Sequence, residues 1–192
     1  MYDPSKDIAE AIEYLKIASP IVMGHSVGAL ATAIYASSYP DRVSKVILED
    51  PPFSPTMSPE QVARRRSRFR EQVQKFQAMS EPELSAMGRS LHPDWEDCEF
   101  PAWIAAKKQV DPDAMPYYSK PWQAVIAGIV SPTLLISGDA ERGSMVTPSL
   151  AQEAISINSN IQAVHVRAAG HNVRRENFPA FLSAVSEFLR VP

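Results

Sequence analysis

The chain reads as an α/β protein in which parallel strands alternate with helices, and three observations lead there. A short apolar run at residues 20–23 enters Gly24-His25-Ser26-Val27-Gly28 and continues into a helix-like run at 29–36. The same strand–helix alternation resumes after residue 130, with apolar strand patterns at 133–136 and 161–166 separated by a helical pattern at 148–157. Between these halves, residues 52–130 are punctuated by prolines and carry helix-start signals but no strand pattern.

Taken in order, Asp3 and Pro4 mark a helix entry, and Ile8, Ile12 and Leu15 recur at helical spacing, which predicts an amphipathic helix over 4–17. Its apolar face requires a sheet to cover, and the strand at 21–23 supplies one. The helix after Gly28 places small residues, Gly28, Ala29, Ala31 and Ala33, where it must lie close on that sheet. A strand follows at 43–48. Pro51, Pro52, Pro55 and Pro59 then break the pattern before a capping box, Ser58-Pro59-Glu60-Gln61, opens a new helix. Ser80-Glu81-Pro82-Glu83 repeats the signature, and residues 94–122 hold all three tryptophans. The expected organisation is therefore core over 1–51, an inserted helical cap over 52–130 and core again over 131–192. Phe178, Phe181, Val185 and Phe188 line one face of a terminal helix. No internal repeat is visible.

Composition narrows the function classes. With 192 residues, 45% of them apolar and 21% charged, the chain has the balance of a soluble globular domain with a real core. A net charge of −3 and an isoelectric point near 5.8 argue against a nucleic-acid partner. The five arginines Arg64, Arg65, Arg66, Arg68 and Arg70 share a helix with Val62, Phe69, Val73 and Phe76, so a solvated helix face is the expected reading of that run. A single cysteine, Cys98, excludes an internal disulfide and fits a reducing compartment, which makes the cytoplasm the expected location. No apolar run approaches a membrane span, and no basic start precedes an apolar export segment. The four histidines show no metal-ligand spacing and no phosphate-cradling glycine loop is present, so neither a metal nor any other cofactor is expected.

The motif that carries chemistry is G-x-S-x-G at residues 24–28. A serine whose Oγ must project from a sharp strand-to-helix turn needs neighbours without bulk on both sides. Two further residues complete a nucleophilic set. Asp139 follows the strand at 133–136 through a Gly138-Asp139 turn, and His171 follows the strand at 161–166 within Ala168-Ala169-Gly170-His171-Asn172. In a parallel sheet every strand points the same way, so residues that each follow a strand converge at one edge. Asp50, after the strand at 43–48, is an alternative acid on the same argument, and Glu49 shares that strand end. His25 lies beside the nucleophile along the turn and is read as structural.

In these residues the sequence resembles the α/β-hydrolase family, serine-nucleophile and cap-bearing, from the first helix to the end of the chain. The resemblance implies Ser26 as nucleophile, His171 as general base, Asp139 as orienting acid and the backbone N–H of Val27 as an oxyanion donor. It implies acyl transfer to water, with a small-molecule carboxylic ester of a small or medium apolar acid as first substrate. That substrate rests on Trp95, Trp103, Met115, Tyr117, Tyr118 and Trp122 as lining residues. Thioester hydrolysis, carbon–carbon bond hydrolysis and cofactor-free perhydrolysis use the same triad.

The departure from the family lies before the elbow, where only 23 residues precede Gly24. The resembled fold builds its first strands and a second oxyanion donor there. The expectation is a C-terminal portion of the fold, with the N-terminal strands missing through truncation, a misplaced start or fragmentation. Two consequences follow. The strand at 21–23 becomes an exposed apolar edge open to self-association, and a lost oxyanion donor costs about 10² to 10³ in rate. The alternative function class is a catalytically silent remnant or ligand-binding module that retains the triad residues.

Overall fold

The structure, a computed structural model, describes residues 3–115 and 119–190. In chain order its helices and strands are α1 (Pro4–Tyr14), β1 (Ile21–His25), α2 (Val27–Ser38), β2 (Lys45–Glu49), α3 (Pro59–Ala78), α4 (Glu81–Leu91), α5 (Phe100–Gln109), α6 (Trp122–Ala127), β3 (Thr133–Ser137), α7 (Pro148–Ile157), β4 (Ile161–His165), α8 (Val173–Glu176) and α9 (Phe178–Arg190). They divide into two compact units, one formed by residues 57–115 and the other by 3–56 with 119–190 among the described residues.

The larger unit is built on a four-stranded, wholly parallel sheet in the order β1-β2-β3-β4. Side chains alternate across the pleat. Val46, Leu48 and Leu135 pack with α2, α6 and α7 on one face, while Ile47, Leu134 and Ile136 pack with Val173, Phe181 and Phe188 on the other. Helices on both faces explain why the two central strands are buried almost continuously, with apolar residues at 46–48 and 134–136, rather than alternating between buried and exposed. Among the described residues β1 is an edge strand, as expected, with Ile21 50% and Met23 41% exposed.

The first helix is capped as predicted, Asp3 Oδ1 accepting from Ser5 N–H at 3.1 Å. It stops at Tyr14 rather than at residue 17, because Lys16 adopts a left-handed φ of 54° that a helix cannot contain. Ile8 and Ile12 reach the core while Leu15 stays exposed. In α9 the apolar face is carried by Phe181 and Phe188, and Phe178 is exposed in the first turn.

The helical insert is smaller than the span 52–130 expected from the prolines. Phe53 stacks on Trp122 at 4.3 Å between ring centroids, and both are buried in the core of the larger unit. The buried Asn158 side chain donates to the carbonyls of Ile126 and Ile129, each at 2.7 Å, which ties the end of α6 to the end of α7. Residues 52–56 and 119–130 thus belong to the core, because their apolar side chains fill the face under α2.

The unit over 57–115 is helical. Both predicted capping boxes are formed: Ser58 N–H donates to Gln61 Oε1 and Ser80 N–H to Glu83 Oε2, each at 2.7 Å. Leu84, Trp95, Phe100 and Trp103 make its core. On α3, Val62 and Val73 are buried while the five arginines are exposed, Arg70 pairing with Asp113.

Candidate active site

The parallel register brings three loop residues to one edge of the sheet. Ser26 joins β1 to α2 with φ 55° and ψ −125°, a conformation that costs an L-residue about 1–3 kcal/mol and lifts its hydroxyl out of the turn. Gly24 is what allows it. A Cβ there would stand 2.3 Å from Gly28 O and 2.7 Å from Ala29 N, so the turn closes only over a residue without a side chain. Gly28 differs from expectation, since a Cβ added at that position meets nothing within 4 Å.

His171 lies in the loop between β4 and α8. Its Nε2 accepts from Ser26 Oγ–H at 2.9 Å, and its Nδ1–H donates to Asp50 Oδ2 at 2.6 Å. The acid on the histidine is therefore Asp50, in place of the expected Asp139. Asp50 follows β2 directly with φ 44°, and its fully buried carboxylate collects four donors. Oδ1 accepts from Ser144 Oγ–H at 2.7 Å and Val146 N–H at 2.9 Å, and Oδ2 accepts from Met145 N–H at 2.8 Å besides His171. Burial pushes this carboxyl upward, but the bonds from His171, Met145, Ser144 and Val146 together outweigh it and hold Asp50 below the ordinary carboxylate value. An ionised Asp50 can only accept, which leaves the proton on His171 Nδ1 and a lone pair on Nε2 facing the serine.

Asp139 is drawn elsewhere. Its Oδ1 accepts from His165 Nε2–H and its Oδ2 from Ala168 N–H, each at 2.8 Å. The Ala168 amide foremost, aided by His165, holds this carboxyl below its ordinary value against desolvation. Ala168 has a left-handed φ of 59°, so Asp139 braces a strained turn three residues before His171. Glu176 braces the same loop from the other side, accepting from Gly170 N–H at 2.6 Å.

Ser144, Met145 and Val146 were not singled out from the sequence. Two of them act through backbone amides, which carry no residue-type signature. The apolar and aromatic residues expected to line a substrate space are mostly core: Trp95 and Trp103 pack within the helical unit, Met115 is buried, and Trp122 is buried under Phe53. Tyr117 and Tyr118 lie outside the described residues. Among the described residues no group of three or more His, Cys, Asp or Glu side chains could hold a metal ion, and no helix is long and apolar enough to cross a membrane.

The buried Asp50 carboxylate predicts an acid-sensitive stability. Its folded value lies below its unfolded one, so its contribution is complete above the unfolded aspartate value of about 3.9 and fades as pH falls through the lower folded value. Wild type should therefore melt above Asp50→Asn at about pH 6, with a smaller gap at about pH 3, below the unfolded aspartate value. Thermal melts of both proteins at both pH values check this, and a gap independent of pH would contradict it.

A sequence model of the alpha/beta hydrolase fold matches residues 1–174. Solved structures agree on the fold. The chain is 20% identical to an E-2-(acetamidomethylene)succinate hydrolase, with a TM-score of 0.74 over 96% of this chain and 72% of that one. It is 18% identical to a thioesterase domain from the curacin biosynthetic pathway, with a TM-score of 0.72 over 95% and 70%. It is likewise 18% identical to a carboxylesterase from Bacillus subtilis, with a TM-score of 0.69 over 98% and 66%. Across such structures the chain spans from 57% to 73% of the other chain's length. No curated protein sequence matches. The chain belongs to the alpha/beta-hydrolase family.

Proposed function

We propose that the protein is a serine hydrolase that transfers an acyl group to water through Ser26, His171 and Asp50. The observation that carries the reading is the unbroken hydrogen-bonded chain from Ser26 Oγ through both nitrogens of His171 to a buried, multiply bonded carboxylate. Ser26 Oγ attacks a carbonyl carbon as its proton passes to His171 Nε2, and Asp50 stabilises the imidazolium that forms. The imidazolium then protonates the departing oxygen, leaving an acyl-serine. Water, deprotonated by His171 in turn, attacks that acyl group and releases the acid and the free serine. Val27 opens α2, where the first amides have no intrahelical acceptor, which supports its N–H as the oxyanion donor of this reading.

Carboxylic esters of small or medium apolar acids are the first substrate class. The related structures include a carboxylesterase and a thioesterase, and thioesters follow the same atom balance with a thiol leaving. A fluorophosphonate probe with the adduct located by mass spectrometry tests the mechanism. Labelling at Ser26, absent from a Ser26→Ala control, is the expected result. A folded chain that takes no label would overturn the reading, and acyl esters and thioesters of graded chain length then rank the substrates of a labelled one.

A further inference from the structure

The triad leaves unused two titratable side chains that stand directly behind it. His25, the last residue of β1, pairs in register with Glu49, the last residue of β2, so their side chains emerge side by side on one face of the sheet. His25 Nε2–H donates to the backbone carbonyl of His171 at 2.8 Å, and the two imidazole rings lie 4.7 Å apart. Glu49 is 1% exposed, and its Oε1 accepts from the backbone N–H of Arg174 at 2.8 Å. Its Oε2 is buried with no hydrogen-bond partner among the described residues.

A buried carboxylate oxygen without a partner is costly and is poorly explained by stability alone. Two tethers from one registered pair of strand ends hold the chain at His171 and again three residues later. We propose that His25 and Glu49 form a clamp that positions the His171 segment, His25 through the carbonyl of His171 and Glu49 through the amide of Arg174. The clamp rests on the Ser26–His171–Asp50 reading and extends it.

The geometry explains why two tethers are useful. His171 must satisfy Asp50 at 2.6 Å and Ser26 at 2.9 Å at once, from a loop that contains the left-handed Ala168. A loop of that kind has other conformations open to it, and a displacement of about 1 Å costs about 10²-fold in rate. The His25 ring suits the task because burial keeps it below the ordinary imidazole value in spite of the Glu49 charge beside it. A neutral ring with Nε2–H donates to a carbonyl without adding a positive charge next to the His171 imidazolium.

The test compares the rate of fluorophosphonate labelling of Ser26 in wild type, His25→Phe, His25→Gln, Glu49→Ala and Glu49→Gln. Phenylalanine keeps the ring bulk and removes the donor, whereas glutamine restores a donor. Glu49→Gln keeps an acceptor for Arg174 and removes the charge. Labelling should fall about 10- to 100-fold in His25→Phe and Glu49→Ala and recover to within a few-fold of wild type in both glutamine variants. The downfield proton resonance of His171 Nδ1–H reports the same geometry without chemistry, and should broaden or vanish only in the first pair. His25→Phe and Glu49→Ala proteins that label as wild type and keep the resonance would overturn the clamp. Wild type without label at Ser26 would instead overturn the hydrolase reading, and the resonance alone would then judge the clamp.

Discussion

Asp50→Asn should lower kcat by about 10⁴-fold, the loss typical when an amide replaces the orienting acid of a serine triad. The physical reason lies in the donors around the carboxylate. Ser144, Met145 and Val146 already supply three hydrogens, so an amide group at position 50 meets too many donors and can turn its NH₂ towards His171. The histidine then carries its proton on Nε2, where it cannot take one from Ser26. Asp139→Asn should cost less than about tenfold, since an amide oxygen can still accept from Ala168 N–H. Turnover of one ester by both purified variants decides the matter. Equal losses, or a larger loss at Asp139, would return the acid role to the strand end after β3.

Gly24→Ala should destabilise the protein by about 3 kcal/mol or more, because the new methyl would sit 2.3 Å from a backbone carbonyl that belongs to the elbow itself. The clash is with main chain, so no side-chain rotation relieves it. In a protein of this size, that loss lowers the melting temperature by roughly 6–12 °C. Ser26 labelling should disappear with it, since relaxing the turn moves Oγ. Gly28→Ala provides the contrast. Gly28 lies in the first turn of α2 with open space at its Cβ position, and alanine is favoured over glycine in a helix by about 1 kcal/mol. Melting curves that rank Gly28→Ala at or above wild type and Gly24→Ala far below it are expected. Similar curves for the two would show that the elbow is not closed over Gly24.

Much of this protein was readable from residue order, because local chemistry makes local structure. Asp3, Ser58 and Ser80 cap helices with their own side chains, and the elbow announces itself through glycines flanking a serine. Strand direction followed from the alternation of strands and helices, and with it the convergence of Ser26 and His171 at one sheet edge. The choice between Asp50 and Asp139 had no local signature. Both are carboxylates after apolar strands, and what separates them is where the amides of Met145 and Val146 and the hydroxyl of Ser144 come to rest, a matter of folding over 94 to 96 residues of chain. The boundary of the helical insert was hidden for a related reason. Prolines mark where a regular element is interrupted, but only packing, through Phe53 on Trp122 and Asn158 on the end of α6, assigns the residues beyond them to a core. Hydrogen bonds between neighbours along the chain can be read from side-chain types, whereas bonds made by backbone groups distant in sequence exist only once the chain has folded.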